Sequence, residues 1–356
     1  MKITSIKYWK EDLDLTRPYA VTYVMHDSVE NLFVQIQCEE GIYGLGSGSP
    51  SEHVTGELMD TDFASRSDEI SSLLVGRDIR ELSTLLHLVR DNYRQKPALC
   101  AALDMAIYDA FCKYIDVPLL KFLGQRIDPL PTSVTIGIKG LEETLEDGRE
   151  YLENGFKIIK LKIGHDMELD AERFIKLREL VGSKMKIRVD ANQGFDPDQF
   201  KSFISRTKDY EVEFFEQPFK RGMSQWMMEL NKSTRDLCAA DEDLHNSKDA
   251  LDFAQRPYKY GIYNIKLMKS GGITEGRKIA QIADNAGINL MWGCMDESRI
   301  SISAALNIAL ASRATRYLDL DGSLDLAKDI VRQGFELREG ILYPKLEKPG
   351  LGVTLL

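Results

Sequence analysis

The sequence predicts an α/β barrel preceded by a smaller α+β unit, and two observations carry this. Five short apolar runs, IIKLKIG (158–164), IRVDANQGF (187–195), VEFFEQPF (212–219), LCAADED (237–243) and IYNIKLMKSGG (262–272), each lead to one ionisable residue: Lys162, Asp190, Glu216, Asp241 and Lys266. Those residues are 28, 26, 25 and 25 positions apart, about what a strand, a loop, a crossover helix and a second loop consume. Residues 1–128 lack that rhythm. In a closed (β/α) barrel, the C-terminal strand ends are where active sites sit.

In the N-terminal unit, Ile3 to Trp9 and Leu32 to Cys38 alternate in strand fashion, and EEGIYGLG (39–46) turns the chain into a further strand. Helices are predicted over about 57–74, 79–93 and 98–115. The last carries a small-residue face, Ala98, Ala101, Ala102, Met105 and Asp109, that permits close packing. GLGSGSP (44–50) lacks the lysine and hydroxyl of a phosphate loop and reads as a mobile lid loop.

The barrel rhythm starts at Leu130. LPTSVTIGI (130–138) is strand-like, and LEETLEDGREYLENG (141–155) is an acidic helix closed by Gly155. Extending the comb gives eight strand ends near Thr135, Lys162, Asp190, Glu216, Asp241, Lys266, Trp292 and Asp319. Ile279, Ile282, Ala283 and Ala286 form one face of the helix after Lys266. After about residue 325 the rhythm stops, and GFELREGILYPKLEKPGLG reads as a hairpin plus coil. The expected division is a cap over 1–128, with 326–356 packing back on it, and a barrel over 129–325.

Composition narrows the function. The chain is 43% hydrophobic and 29% charged, with no run near the roughly 18 apolar residues that span a bilayer. MKITSIKYWKEDLDL has no signal core, so a cytoplasmic location is expected and no membrane partner. A net charge of −10 without a basic cluster excludes nucleic acid as a natural partner. Five widely spaced cysteines read as free thiols in a reducing compartment, without structural zinc.

Asp190, Glu216 and Asp241 occupy equivalent positions on three successive strands, so their carboxylates converge at one barrel mouth. Like charges there repel unless a cation holds them together, and hard oxygen ligands suit Mg²⁺ better than zinc. Lys160 and Lys162 share the inward face of their strand, while Ile159, Leu161 and Ile163 face the helices. Lys266 lies on the opposite side of the ring, since strands two and six of eight are four steps apart. Lysines on opposite faces of one carbon can remove a proton and return it to the other face. A metal on the adjacent carboxylate stabilises the charge that develops.

Together KLK, DANQGF, FFEQPF, AADE and NIKLMKSGG resemble the muconate-lactonizing-type subgroup of the enolase superfamily over nearly the whole chain. A lysine base working with magnesium is the general pattern of that superfamily. The resemblance implies a (β/α)₇β modified TIM barrel under a cap that the C-terminal tail completes. It implies one Mg²⁺ per subunit on Asp190, Glu216 and Asp241, acid/base roles for Lys162 and Lys266, and support from Lys160. Asn192, Glu242 and Lys269 would stand behind these, and a homo-oligomer is expected.

TRYLDLDGS (315–323) is similar to the DxD signature of dipeptide epimerases, where two acids, here Asp319 and Asp321 on one face of the eighth strand, bind the peptide amine. LMWGCMDESRIS (290–301) resembles that family's segment after strand seven, with Glu297 and Ser298 in the usual places. LTRPY (15–19), HVTGE, GRDIR (76–80), LPTSVTIGIK (130–139) and GCMDES are similar to a branch preferring cationic dipeptides. The resemblance implies the same: Ala-Glu epimerases place an arginine for the substrate glutamate in the first cap loop, and the matching PYAVTYVMH (18–26) offers no basic residue except His26. Asp296 and Glu52 add acids near the pocket, and Thr135 joins the expected substrate set. His26, His53 and His165 lack ligand spacing. Alternatives on this scaffold are Ala-Glu epimerisation, or cycloisomerisation or dehydration of a non-peptide carboxylate.

Overall fold

The computed structural model describes residues 1–21 and 24–356, without the side chains of 17–26. The missing basic residue read from 18–26 therefore concerns side chains outside the described residues. Three antiparallel strands open the chain: β1 (Ile3–Val21), β2 (Val24–Cys38) and β3 (Tyr43–Gly48), in that order across the sheet. Helices α1 (Phe63–Leu74), α2 (Leu82–Tyr93), α3 (Pro97–Tyr114) and α4 (Leu119–Leu123) follow. The first helix begins at Phe63 rather than 57, because Asp62 accepts from Ser65 N and caps it there.

The lid reading of 44–50 is overturned. Gly44, Gly46 and Gly48 belong to buried β3, which lies directly on α3. A Cβ at Gly46 would sit 1.8 Å from the Ala102 carbonyl oxygen, one at Gly44 would sit 2.0 Å from that of Ala106, and one at Gly48 2.5 Å from that of Ala98. Two strand residues rise about 6.6 Å and four helix residues about 6.0 Å. Alternate glycines of β3 therefore meet every fourth residue of α3 in step. The small-residue face is as expected; its partner is this strand.

Eight parallel strands form the second sheet: β4 (Val134–Ile136), β5 (Ile158–Lys162), β6 (Lys186–Asp190), β7 (Phe215–Glu216), β8 (Cys238–Ala240), β9 (Ile262–Lys266), β10 (Asn289–Gly293) and β11 (Thr315–Asp319). They neighbour one another in chain order. The crossovers carry α5 (Leu141–Glu153), α6 (Met167–Val181), α7 (Pro197–Thr207), α8 (Lys232–Asp236), α9 (Ser247–Phe253), α10 (Leu267–Ser270), α11 (Ile273–Ala286) and α12 (Arg299–Leu310). No helix follows β11 before the tail, so the barrel is (β/α)₇β. A parallel bridge from Thr132 to Leu318 closes the ring, with Ser133 N donating to Leu318 O at 3.1 Å.

Strand ends fall where the spacing puts them, with small shifts. Thr135 is mid-strand, Asp241 is one residue past β8, and Trp292 is one residue short of the end of β10. Residues two apart share the inward face. Beneath the mouth, Phe214, Ala239, Ile262 and Met291, with Tyr317 against them, form an apolar floor.

The tail adds β12 (Val331–Gln333), β13 (Phe335–Arg338), β14 (Ile341–Pro344) and β15 (Val353–Leu355). The hairpin β13–β14 is present as expected. Leu351 N donates to Asp109 Oδ1 of α3 at 2.8 Å, and Leu119 N donates to Gly350 O at 2.8 Å, fastening the tail to the N-terminal unit. Among the described residues no helix is long and apolar enough to cross a membrane. All five cysteines are free, and Cys294 alone is only partly buried.

Candidate active site

The C-terminal strand ends bring the predicted acids and lysines to one mouth. Asp190 and Glu216 sit side by side in register on β6 and β7, and Lys162 pairs with Asp190 across β5 and β6. Lys160, two residues deeper on β5, is buried among three acids. Its Nζ lies 3.1 Å from Asp190 Oδ2, 3.0 Å from Glu216 Oε2 and 2.9 Å from Asp319 Oδ2. Lys266 ends β9 with its Nζ 2.8 Å from Asp241 Oδ2. Lys269, on α10, donates to Asp241 O at 2.5 Å and to Asn264 O at 3.2 Å, and also pairs with Asp241 Oδ1. Lys162 is half-buried, and among the described residues its ammonium makes no ion pair.

Burial opposes charge at Lys160, Lys266, Lys269, Asp241 and Glu216, and at Lys160, Lys266 and Asp241 neighbouring charges overturn it. Burial works to lower the Lys160 ammonium, yet Asp190, Asp319 and Glu216 hold it well above its ordinary value. Lys266 is raised in the same way, burial being outweighed chiefly by Asp241. Lys269 ends lower than usual, because burial outweighs the pull of Asp241. For Asp241 burial is overcome by Lys266, Lys269 and Lys160, which hold its carboxyl well below the usual range. Burial, then the Asp190 charge, pushes Glu216 well up.

Asp190 Oδ2 and Glu216 Oε2 are buried with only the Lys160 ammonium, 3.1 and 3.0 Å away and out of hydrogen-bond alignment, against them, and Glu242 Oε2 is buried without a hydrogen-bond partner. Among the described residues no three acids are spaced as a finished cation cage. Lysine ammonium groups supply the positive charge instead. Spare carboxylate lone pairs on consecutive strand ends are still a hard-oxygen donor set, and the residues fit a divalent cation. The remaining oxygens are held: Asp190 Oδ1 accepts from Asn192 N at 2.9 Å and Glu216 Oε1 from Asn264 Nδ2 at 2.8 Å.

The family described as enolase C-terminal domain-like matches residues 143–356, and the mandelate racemase / muconate lactonizing enzyme N-terminal domain matches residues 4–124. The chain belongs to the mandelate racemase / muconate lactonizing enzyme family. An L-Lys-D/L-Arg epimerase of Desulforapulum autotrophicum is 48% identical over 99% of both chains. The dipeptide epimerase of Methylococcus capsulatus, solved with Mg and the dipeptide L-Arg-D-Lys, superposes with a TM-score of 0.96 at 46% identity, covering 99% of this chain and 100% of that one. The L-Ala-D/L-Glu epimerase of Bacillus subtilis, solved with substrate, superposes at 0.92 with 30% identity over 99% of both.

In this mandelate racemase-type chain the paired acids differ in surroundings. β11 ends at Asp319, so Asp321 lies beyond the strand rather than on its face. The backbone turns away there, with Leu320 N held by Thr132 Oγ1 at 2.8 Å. Asp319 Oδ1 accepts from Ser133 Oγ at 2.6 Å. Asp321 Oδ2 accepts from Thr135 N and Oγ1, both at 2.9 Å. Burial, then the Asp319 charge, pushes Asp321 up to about 7. A cleft of about 170 Å³ opens beside it, lined by Thr16, Thr135, Tyr151, Phe156 and Asp325.

The other expected residues divide. Glu242 is buried, accepts from Asn192 Nδ2 at 3.4 Å, and is pushed to about 7 by burial and then Asp241. The Asp296 carbonyl accepts from Asn31 Nδ2 at 3.2 Å and Ser49 Oγ at 3.3 Å, so the N-terminal sheet fixes its loop. Glu297 turns into that loop, accepting from Met295 N at 2.9 Å, and burial pushes it to about 7. Glu52 is exposed, and among the described residues no hydrogen bond or ion pair ties it to the mouth.

Sequence reasoning missed Ser133, Arg188, Gln217 and Asn264. Gln217 Oε1 accepts from Asp241 N at 2.9 Å and Asp243 N at 3.3 Å, holding the turn that carries Asp241. The inward parity of Arg188 with Asp190 and of Asn264 with Lys266 was the available signal.

Proposed function

We propose that this chain is a Mg²⁺-dependent dipeptide epimerase that inverts the α-carbon of the C-terminal residue. The observation that carries the reading is the placement of Lys162 and Lys266 on strands four apart in the ring, with three carboxylates between them. Asp190, Glu216 and Asp241 hold one Mg²⁺ per subunit. When bound, it supplies Lewis-acid stabilisation of negative charge on the substrate carboxylate.

Lys162 and Lys266 then address opposite faces of the α-carbon. One, as a neutral amine, takes the α-proton, and the other, as an ammonium, returns a proton to the opposite face. Lys266, kept charged by Asp241, stands as the donor in one direction. Lys160 sits behind them and balances the charge of Asp190, Glu216 and Asp319. Asp319 and Asp321 receive the substrate amine, and Thr135 orients Asp321.

Cationic dipeptides are the preferred substrates. The relatives named for Lys-Arg dipeptides, at 48% and 46% identity, support that preference, as does the acid Asp296 on the loop after β10. The chain functions as a cytoplasmic homo-oligomer, with a cap over 1–128 and a barrel over 129–325. A dipeptide library incubated with enzyme and Mg²⁺ in D₂O, read by mass spectrometry, tests the reading. Deuterium is expected at the C-terminal α-carbon of dipeptides ending in Lys or Arg. Uptake by Ala-Glu alone would overturn the cationic preference, and no uptake by any dipeptide would overturn the function.

A further inference from the structure

Below the mouth, Arg188 is fully buried on β6, with its guanidinium carbon 5.2 Å from the ring centres of both Phe214 and Tyr317. Its Nε pairs with Glu213 Oε2 at 2.7 Å, and its Nη1 donates to Leu318 O at 2.5 Å and to Ser133 Oγ at 3.2 Å. Guanidinium is a donor only, so Ser133 Oγ accepts from it and has one hydrogen left to give. Two acceptors compete for that hydrogen: Asp319 Oδ1 at 2.6 Å and Leu318 O at 3.4 Å. The nearer one is charged, and charge-assisted bonds are the stronger kind. The hydroxyl therefore points at Asp319.

We infer that Ser133, set by Arg188, is a positioning residue for amine recognition. It fixes the rotamer of Asp319 so that one oxygen is held by the hydroxyl and the other faces Lys160, 2.9 Å away. Asp319 is thereby shared between the lysine cluster and the amine subsite, and a buried arginine on the barrel floor holds it there. Without the hydroxyl, Asp319 Oδ1 loses its donor and the carboxylate turns about its Cα–Cβ bond. Ser133 hydrogen-bonds to none of Asp190, Glu216 or Asp241, and Lys160 keeps both Asp190 and Glu216 when Asp319 turns, so the donor set for the cation stays in place. This rests on the dipeptide reading only for what Asp319 recognises, not for how it is held.

The test is Ser133→Ala in the full-length enzyme, alone and combined with Asp319→Asn. Arg188 keeps Glu213 and Leu318, so the fold is expected to survive. With dipeptides carrying a free amine, kcat/KM should fall about tenfold through KM in the single variant. In the Asp319→Asn background the same change should cost less than twofold, because the residue being positioned is already altered. Mg²⁺ affinity by calorimetry should match wild type. A crystal structure of Ser133→Ala should show Asp319 turned away from Lys160, whatever substrate is used, which separates this inference from the dipeptide reading. Tenfold losses in both backgrounds, or an unmoved Asp319, would overturn it. Ser133→Cys, which keeps the volume with a poorer donor, replaces alanine if the latter is unstable, and the same pair of losses is expected.

Discussion

The ammonium of Lys266 lies 2.8 Å from Asp241 Oδ2, whereas Lys162, four strands away around the ring, makes no ion pair among the described residues. In the proposed mechanism the two lysines thus enter the reaction unequally prepared. One stands as a charged donor and the other is unencumbered.

Removing them should separate the two faces. Lys162→Ala and Lys266→Ala are each expected to lower epimerisation by about 10²–10⁴-fold, the usual contribution of a placed base. Each should retain α-proton exchange with one epimer only, and a different one. Proton NMR in D₂O, run from both epimers, checks this. Equal residual exchange from both epimers in either variant would contradict the opposed arrangement.

Asp321 should impose a pH dependence on substrate capture. Its carboxyl is raised from 3.8 to about 7, so below that value it is neutral and attracts an ammonium weakly. kcat/KM should therefore climb as pH rises through about 7, and Asp321→Asn should remove that limb. Losing a charge-assisted contact should also raise KM about tenfold or more. The stability sign is opposite. A raised acid favours the folded state below its unfolded value, and that contribution is lost as pH rises through about 7. Asp321→Asn should accordingly melt higher than wild type at pH 8, by calorimetry.

Cation removal should be visible in stability. Ligand present at 100 times its Kd adds about 2.7 kcal/mol if it binds only the folded state, so Mg²⁺ should raise Tm and a chelator should return it. Asp241→Asn should abolish that rise. It also strips the partner of Lys266 and Lys269, and breaking such buried pairs costs about 3–5 kcal/mol. Glu216→Gln should abolish the rise with a smaller loss of stability, because Lys160, its ion-pair partner, keeps Asp190 and Asp319. Urea denaturation with and without Mg²⁺ distinguishes the two.

Gly46→Ala should damage folding without touching the site. Its Cβ would fall 1.8 Å from Ala102 O, and backbone must move to admit it. Overpacking of this kind costs about 1–3 kcal/mol. A lower urea midpoint, with Mg²⁺ affinity unchanged in the remaining folded protein, is the expected result.

The barrel was legible because it repeats. A strand and its crossover use nearly constant length, so Lys162, Asp190, Glu216, Asp241 and Lys266 stood out by spacing, and the structure finds them at or one residue beyond strand ends. What spacing could not reveal lies in contacts between distant residues. GLGSGSP has turn composition, and only α3 against it makes those glycines a strand with no room for side chains. Lys160 read as a support for Lys162, yet its partners come from β6, β7 and β11. Asp319 and Asp321 looked equivalent two residues apart, and the ring closure at Thr132 and Leu318 makes them different. The sequence by itself determined which chemistry stands at the barrel mouth, because periodicity is a local property of the chain. The tertiary structure decided which oxygen each cation faces, because that depends on how the first and last strands meet.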